Sequence, residues 1–491
     1  MKKIDASELD AIIRNAIHTF QTPALSIAVI EDGEISYAKG FGTLCDGKAE
    51  QADEHTSYAI ASISKSTVST ALAMLAEQKL FNWQDKVTRF MPEFRLYDSY
   101  AWQEFTILDL LCHRSGLKSE SAGTLWYGSD YAREEVVRRL QFLRPADSFR
   151  NRFAYQNVFY LVAGLLIERI SGTSWDDFIT HQLFQPLGMT RTFATLAARQ
   201  AANITNLACP HAMIGGKLTP VPDRNHDNVG PAASVLSTAV DLAAYLRLFL
   251  HEGMAGTTQI LKPESVKFLH TPVIFYDQPK RSQLIPQRMT SHFPGYALGW
   301  QVQDYGGTVR IGHSGGIDGM RSRIEMLPEK GCGVAILTNS EDYRAYSSVM
   351  FSVLDRFLEL EPADWVEALT HDEDDESDTR AEPQPSVPNY IHDIRRLCGT
   401  YRDIAYGDLS VNVENDGLVL RFSHTPAFTA DLTQSRGNVF RSIWRDRYIP
   451  EGWVVFKTDE AGNGTALHLE QPRLLDVDFN ELEEWLPRVA A

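Results

Sequence analysis

The sequence predicts an α+β fold: an α/β/α sandwich with an antiparallel sheet and an inserted helical subdomain, followed by a small C-terminal antiparallel β-barrel. Strand-like alternation occupies residues 23–42 and returns near Tyr296, whereas helical periodicity dominates from Ser62 to about Leu250. After an acidic run, alternation of period two continues toward the C-terminus. A chain of 491 residues is too long for one hydrophobic core, which agrees with more than one domain.

The first predicted elements are an amphipathic helix and a β-hairpin. The helix carries apolar residues on one face: Leu9, Ile12, Ile13, Ala16, Ile17 and Phe20. Ile27 and Val29, then Ile35 and Tyr37, alternate on either side of Glu31-Asp32-Gly33, as in a two-stranded hairpin. Because strands return only late in the domain, we expect the sheet to be built from both of its ends.

The next predicted helix begins with Ser62 and Lys65, which are one helical turn apart. The run behind them is apolar at helical spacing: Val68, Ala71, Leu72, Leu75 and Ala76. On one face of the first turn, a partly desolvated lysine can accept the serine proton, while the helix N-terminus favours developing negative charge. The spacing therefore indicates a serine nucleophile with its own base. The alternative is an N-cap serine beside a solvated lysine, since this spacing also arises by chance.

Two later segments add side chains of the same chemistry. Tyr155-Gln156-Asn157 precedes a second apolar helix that ends near Gly172, and His313-Ser314-Gly315 follows a strand-like run, Val309 to Ile311. In this order the SxxK, YxN and HxG motifs resemble the active-site motifs of the serine β-lactamase and penicillin-binding-protein superfamily, in its class C β-lactamase and D,D-peptidase branch. The resemblance covers roughly residues 10 to 360 and implies a β-lactamase/transpeptidase-like fold.

The resemblance implies an acyl-enzyme mechanism. Ser62 would attack a carbonyl while Lys65 and Tyr155 handle its proton, and Tyr155 would later help to protonate the leaving group. Water would then attack the acyl-enzyme with Tyr155 assisting, and His313 is a second candidate for that assistance.

The remaining predicted site residues bind the substrate. Asn157 would hold the lysine and the substrate amide, and the N–H groups of Ser62 and Gly316 would form the oxyanion hole. Ser314 and Gly315 would line the cleft from an edge of the sheet. Structural roles are expected for two other polar residues: His113 as the anchor of a loop, and Asp241 as part of a helix capping box with Thr238.

One departure from better-known members concerns the substrate. Penicillin-hydrolysing members usually carry lysine where this chain has His313, and a neutral imidazole binds a carboxylate less firmly than an ammonium does. Histidine is familiar here among the family's esterases and aminopeptidases. The resulting hypothesis is a hydrolase of small esters or amides, D-amino-acid peptides among them. The alternatives are a β-lactamase or D,D-carboxypeptidase and, from another class, a penicillin-type binding protein or sensor that acylates without turnover.

A rival nucleophile occurs in the same stretch, because Gly312-His313-Ser314-Gly315-Gly316 also spells GxSxG. The nucleophile elbow of α/β-hydrolases needs a strand, a sharp turn and then a helix. The residues after Gly319 alternate up to Pro328 and alternate again from Val334, which predicts a strand, a turn and a strand. We therefore expect Ser314 to line the cleft and not to attack the substrate.

Composition restricts the partners. Lys and Arg number 47 and Asp and Glu 64, so the formal charge is −17, and no basic cluster interleaves with aromatic residues. Nucleic acid is therefore not expected as a partner, and no apolar run reaches the roughly 18 residues that a membrane span needs. Five scattered cysteines suit a reducing compartment, and a cytoplasmic location is expected unless a signal segment has been removed. The sequence shows no motif for a cofactor or a metal ion.

The composition changes sharply after the predicted hydrolase domain, residues 1–370. Six of the seven residues from Asp372 to Asp378 are acidic and prolines follow, which predicts a linker over 371–388. Alternation around Asp416-Gly417 predicts a hairpin within a barrel over 389–491. This region resembles the lipocalin-like C-terminal domain of some family members. It could cover the cleft, mediate self-association into a homo-oligomer, or bind an apolar ligand.

Overall fold

The computed structural model describes residues 3–278, 281–372, 381–385 and 391–489. Its N-terminal part is built on strands β1 to β14: Ala24–Glu31, Glu34–Gly42, Tyr58–Ala59, His211–Ile214, Lys217–Pro220, Leu236–Ser237, Met254–Ala255, Thr258–Gln259, Ile274–Phe275, Gly295–Tyr296, Gln301–Tyr305, Thr308–Ile317, Met320–Leu327 and Cys332–Thr338. Eight of these strands form one antiparallel sheet in the order β2-β1-β14-β13-β12-β11-β10-β9.

The hairpin and the assembly of the sheet from both ends are confirmed. β1 pairs with β2 on one side and with β14 on the other, both antiparallel. The two turn residues Asp32 and Gly33 have φ values of 52° and 77°. Such a turn matches the right-handed twist of paired strands, and an Asp-Gly pair tolerates its left-handed backbone.

Helices cover both faces of the sheet. In chain order, α1 to α15 are Ala6–Thr19, Ser64–Glu77, Val87–Phe90, Ser99–Glu104, Ile107–Leu110, Gly123–Trp126, Arg133–Arg139, Val158–Ser171, Trp175–Ile179, Leu196–Ala201, Gly230–Ala233, Ala239–Leu250, Pro263–Leu269, Tyr343–Phe357 and Trp365–Thr370. Short 3-10 turns occur at Ala61–Ile63, Leu140–Phe142, Asp227–Val229, Gln287–Met289, Pro328–Lys330, Ile394–Leu397 and Phe479–Glu481, and one π turn at Thr180–Phe184. In the described parts of the chain, no helix combines the length and apolarity needed to cross a membrane.

The two helical layers are visible in the alternation of β1. Ile27 and Val29 belong to the core that α1, α14 and α15 share with one face of the sheet. Ala28 and Ile30 belong to the core on the other face, where α2, α8 and α12 pack. A strand with both faces covered is expected to be apolar throughout, and every residue of β1 is buried. The predicted α/β/α sandwich is therefore confirmed.

The stretch around Ser314 is strand, turn and strand. β12 runs through Ile317, six residues beyond the end predicted from its apolar pattern, because glycines and polar residues at an open sheet edge carry no alternation signal. Gly319, with φ of 68°, lies in the turn to β13. No helix follows this strand, so the nucleophile elbow is absent here.

The C-terminal part is a nearly closed antiparallel barrel. Its strands β15 to β22 are Gly399–Asp403, Gly407–Glu414, Gly417–Phe422, Thr429–Arg436, Val439–Trp444, Gly452–Thr458, Gly464–Glu470 and Leu486–Pro487. A bridge between Tyr401 and Arg488 links its first strand to its end. The predicted barrel and the hairpin around Asp416-Gly417 are confirmed, with Asn415 and Asp416 as the two turn residues and Gly417 paired with Glu414. The boundaries at 370 and 389 stay predictions, since most of the predicted linker lies outside the described residues.

Candidate active site

Ser62 lies on the 3-10 turn that leads into α2, and not in the first turn of the α-helix as predicted. The N–H of Ile63 donates to the carbonyl of Ile60 at 3.2 Å, and Ala61 has φ of 46°. A left-handed backbone is rare for a residue with a Cβ and marks a conformation that the surroundings enforce. Since residues three apart eclipse on a 3-10 turn, Lys65 still lies on the same face as Ser62.

Lys65 is completely buried, and three oxygen atoms surround its side-chain nitrogen. Nζ lies 2.9 Å from Ser62 Oγ, 2.6 Å from Asn157 Oδ1 and 3.1 Å from the carbonyl oxygen of Ala232. Burial lowers the pKa of Lys65 to about 7, against the opposing effect of the Asp476 carboxylate. A lysine near neutrality beside a serine hydroxyl is equipped to accept its proton.

Tyr155 and Asn157 come from the segment that enters α8. Lys65 Nζ lies 4.7 Å from the centre of the Tyr155 ring. Burial, followed by the proximity of Tyr296, raises the pKa of Tyr155 well above its usual value, and a hydrogen bond with Ser62 acts in the opposite direction. Tyr155 is therefore a phenol near neutral pH and can donate a proton, whereas the sequence analysis left open whether it serves as a base.

His313 is the first residue of β12 after the part that pairs with β11. Both of its ring nitrogens take part in hydrogen bonds. Nδ1 lies 2.6 Å from the carbonyl oxygen of Ser314, and Nε2 lies 3.0 Å from the hydroxyl of Tyr296. A carbonyl oxygen only accepts, so Nδ1 carries the proton and Nε2 accepts from the tyrosine. Burial, with the Lys65 charge second, lowers the pKa of His313 to about 3. This imidazole is neutral.

β12 approaches the serine turn closely. A Cβ on Gly315 would lie 2.1 Å from the carbonyl oxygen of Ile60, so only glycine allows this contact. Gly316 and Ser62 are both partly exposed, on the open side of this junction. The side chain of Ser314 points to the face of the strand opposite His313, because successive side chains alternate. The structure thus brings the strand backbone beside Ser62, but not the Ser314 hydroxyl.

Two further site residues were missed by the sequence analysis. Tyr296 contacts His313 from β10, and the sequence analysis used it only to mark where strand-like alternation returns. Asp476 accepts a hydrogen bond at 3.1 Å from Asn157 Nδ2, although it belongs to the C-terminal barrel. No sequence signal pointed to this contact, which joins residues 319 positions apart.

Of the two structural roles predicted for polar residues, that of His113 fits the local geometry, whereas the capping box of Thr238 and Asp241 is only half formed, because the Asp241 carboxylate accepts instead from Arg191 N–H and the Thr192 hydroxyl. His113 is buried and accepts a hydrogen bond from the Gln156 N–H at 3.1 Å, and its ring lies 4.2 Å from that of Tyr155. The Thr238 side chain accepts from the N–H of Asp241 at the start of α12. His113 thus supports the segment that carries Tyr155.

Comparisons with known proteins find relatives of this chain at low identity. Unguisins hydrolase ungD' of Aspergillus campestris (strain IBT 28561) is 24% identical over 72% of this chain, and Protein flp of Staphylococcus aureus (strain COL) is 26% identical over 68%. The matches span 65% and 62% of those relatives' own lengths, so the chain covers less than two thirds of either.

A solved structure of similar fold and two family models complete the comparison. The octameric penicillin-binding protein homologue from Pyrococcus abyssi superposes with a TM-score of 0.61 at 22% identity, covering 96% of this chain and 99% of that one, which shows the fold. A domain of unknown function, DUF3471, matches residues 383–488. The Beta-lactamase family model matches residues 9–350. The chain therefore belongs to the β-lactamase family, within the superfamily of β-lactamase- and transpeptidase-like serine hydrolases.

Proposed function

We propose that this chain is a serine hydrolase that forms an acyl-enzyme at Ser62 and cleaves small esters or amides, D-amino-acid peptides among them. The observation that carries the proposal is the contact of 2.9 Å between Ser62 Oγ and Lys65 Nζ. A neutral Lys65 keeps two N–H donors for Asn157 and the Ala232 carbonyl, and its lone pair then points at the serine hydroxyl.

Acylation follows from these positions. Ser62 Oγ forms a bond with the substrate carbonyl carbon as its proton passes to Lys65 Nζ, and the carbonyl oxygen becomes an oxyanion facing the N–H groups of Ser62 and Gly316. When the intermediate collapses, the bond to the leaving group breaks and Tyr155 gives that group a proton. Tyr155 recovers its proton from Lys65.

Deacylation repeats the chemistry with water. Lys65 takes a proton from the attacking water, directly or through Tyr155, and the Ser62 oxygen recovers a proton when its bond to the acyl carbon breaks. Because both nitrogens of His313 are engaged, we propose that His313 orients β12 with Tyr296 and does not act as the base.

The charge of the site bears on the substrate class. A β-lactamase or D,D-carboxypeptidase substrate carries a carboxylate, and a neutral His313 offers it no fixed cation. The relative named as a hydrolase supports hydrolysis in general terms. We propose a cytoplasmic protein and, by similarity in fold to an octameric homologue, a homo-oligomer.

The nucleophile can be tested with covalent probes. A fluorophosphonate is expected to label Ser62, and peptide mass spectrometry locates the adduct. Ser62→Ala should lose both the adduct and ester hydrolysis, whereas Ser314→Ala, the same substitution on the neighbouring strand, should keep both. Loss of labelling only in Ser314→Ala would refute the mechanism. A stable penicillin adduct at Ser62 without turnover of any ester would favour a binding protein or sensor.

A further inference from the structure

Two of the five cysteines, which are scattered along the sequence, lie side by side in the structure. Cys45 follows the end of β2 and is buried, and Cys209 lies shortly before β4 and is half-buried. A hydrogen bond joins the two thiols. The remaining cysteines lie on or beside other elements: Cys112 after α5, Cys332 on β14 and Cys398 before β15.

Backbone hydrogen bonds on both sides of Cys45 hold this pair together. The N–H of Cys209 donates to the carbonyl oxygen of Leu44 at 2.8 Å, and the N–H of Asp46 donates to His211 Nε2 at 3.0 Å. A disulfide spans Cα atoms roughly 4.4–6.8 Å apart, and segments joined directly by backbone hydrogen bonds approach each other this closely. The two thiols can therefore join without a large movement of the backbone.

The segment that follows Cys209 is also held on its other side. His211 Nδ1 lies 3.0 Å from the carbonyl oxygen of Asn339. The N–H of His211 donates at 3.0 Å to the carbonyl oxygen of Gly319, which lies in the turn from β12 to β13. A Cβ on Gly319 would lie 2.4 Å from that His211 nitrogen, so the segment and the turn are in direct contact. The cysteine pair thus lies next to the support of the turn that ends β12.

We propose that Cys45 and Cys209 form a reversible disulfide when a disulfide oxidant, such as glutathione disulfide, is in excess. The thiolate of Cys209, the more accessible partner, attacks one sulfur of glutathione disulfide, and a first glutathione thiolate leaves. The thiolate of Cys45 then attacks the Cys209 sulfur of this mixed disulfide and displaces the second glutathione. In all, the two cysteines lose two electrons and two protons, and two glutathione thiols carry them.

The surroundings of Cys209 set the rate of this exchange. Burial, followed by the hydrogen bond with Cys45, raises the pKa of Cys209 to about 12. A thiol with so high a pKa is almost entirely protonated at neutral pH, so it exchanges slowly, and the rate rises with pH as the thiolate fraction grows. The pair therefore responds to sustained oxidation and not to a brief one.

The disulfide would close a long loop of the chain. Asp46 and His211, which contact each other beside the pair, are 165 positions apart. A cross-link over so many residues restricts the unfolded chain and thereby stabilises the folded one. Since the pair also lies beside the support of the β12–β13 turn, the oxidised protein should keep this turn in place at temperatures that unfold the reduced protein.

The test compares the oxidised and reduced forms of the full chain. After incubation with glutathione disulfide at about pH 8.5, remaining thiols are alkylated and the protein is digested without reduction. Mass spectrometry should find the peptides of Cys45 and Cys209 linked, and dithiothreitol should separate them. In Cys45→Ser, which lacks the second thiol, Cys209 should carry a glutathione instead. Cys398→Ser, which removes another half-buried thiol, should leave the link intact.

Thermal unfolding measures the effect on stability. The oxidised wild type should unfold about 3–6 °C above the reduced form, and Cys209→Ser should lose this difference whereas Cys398→Ser should keep it. Alkylated Cys45 and Cys209 after oxidation, or glutathione on Cys209 of the wild type without a link to Cys45, would overturn the pairing. A linked pair that unfolds at the same temperature as the reduced protein would overturn its stabilising role. These measurements involve no hydrolysis, so their outcome is independent of the role of Ser62.

Discussion

At the scale of single residues, the site depends on the protonation state of Lys65. Its three oxygen neighbours suit an ammonium, but complete burial favours the neutral amine. The nearby Asp476 carboxylate shifts the balance back toward the charged form. The lysine therefore lies near the point where a modest change in its surroundings switches it between acid and base.

The pH dependence of kcat/KM should report this balance. Burial lowers the pKa of Lys65 to about 7, so lowering the pH below that value protonates the base and reduces kcat/KM about tenfold per pH unit. The pKa of His313, lowered to about 3, and that of Tyr155, raised well above its usual value, lie outside this range. Initial rates from pH 5 to 9 on an uncharged ester measure the effect.

Two variants test whether the acid limb, which is the fall in kcat/KM at low pH, belongs to Lys65. Asp476→Asn removes the charge that favours protonated Lys65, so the limb should move to lower pH, whereas Asp431→Asn, the same change at an exposed position of the barrel, should leave it in place. A profile that is flat from pH 5 to 8, or a limb that does not move in Asp476→Asn, would contradict this account of the lysine.

At the scale of elements, glycines decide how closely the pieces of the site approach one another. Gly315 lets β12 touch the serine turn, and Gly123 lets the barrel loop between β21 and β22, which carries Asp476, lie against α6. Neither close approach could be inferred from the sequence, because glycine in a strand or helix equally predicts a bulge, a weak point or a turn.

Gly123→Ala should therefore displace the loop. The added methyl group would overlap the Asp476 carbonyl oxygen and move the Asp476 carboxylate away from Lys65, so we expect the acid limb of kcat/KM to move to lower pH while Ser62 remains reactive toward a fluorophosphonate. Gly417→Ala is the matched control, because its Cβ would lie 3.7 Å from its nearest neighbour, an ordinary contact. Identical pH profiles of kcat/KM in the two variants would show that the loop does not lie against α6 as described.

The elements themselves were largely predictable. Alternation revealed the β1–β2 hairpin and the Asp416-Gly417 hairpin, and helical spacing revealed α1, α2 and α8. One detail near the nucleophile was not. The 3-10 turn at Ser62 depends on tertiary contacts that hold Ala61 in a left-handed backbone, and local periodicity does not record such contacts.

At the scale of the whole molecule, the barrel forms part of the site. The SxxK and YxN motifs pointed to Ser62, Lys65, Tyr155 and Asn157 through their resemblance to the family's motifs, which are short and local in the sequence. Asp476 depends on how the barrel packs on the helical subdomain, where the rings of Tyr127 and Phe428 stack at 5.8 Å. Such packing joins residues that are far apart in the chain, and a single sequence contains no direct signal for it.

The barrel is also joined to the hydrolase part by a nearly buried ion cluster. Arg224 Nε lies 2.6 Å from Asp318 Oδ2 at the β12–β13 turn, and its Nη2 contacts Asp446 of the barrel. The Asp318 carboxylate also accepts from the hydroxyl of Tyr127 at 2.6 Å. Arg224 and Asp318 are 9% and 3% exposed, so removing one partner leaves the other charge unpaired away from water.

Arg224→Met should therefore destabilise the protein by about 3–5 kcal/mol, the usual cost of an uncompensated buried charge. Chemical denaturation followed by tryptophan fluorescence measures the loss, and addition of Asp318→Asn should recover part of it because the unpaired charge is then absent. Arg445→Met is the control, since the Arg445–Asp431 pair lies at the barrel surface with side chains 44% and 53% exposed and should contribute little. If both arginine variants lowered the denaturation midpoint equally, the buried cluster would have no special part in joining the barrel to the active site.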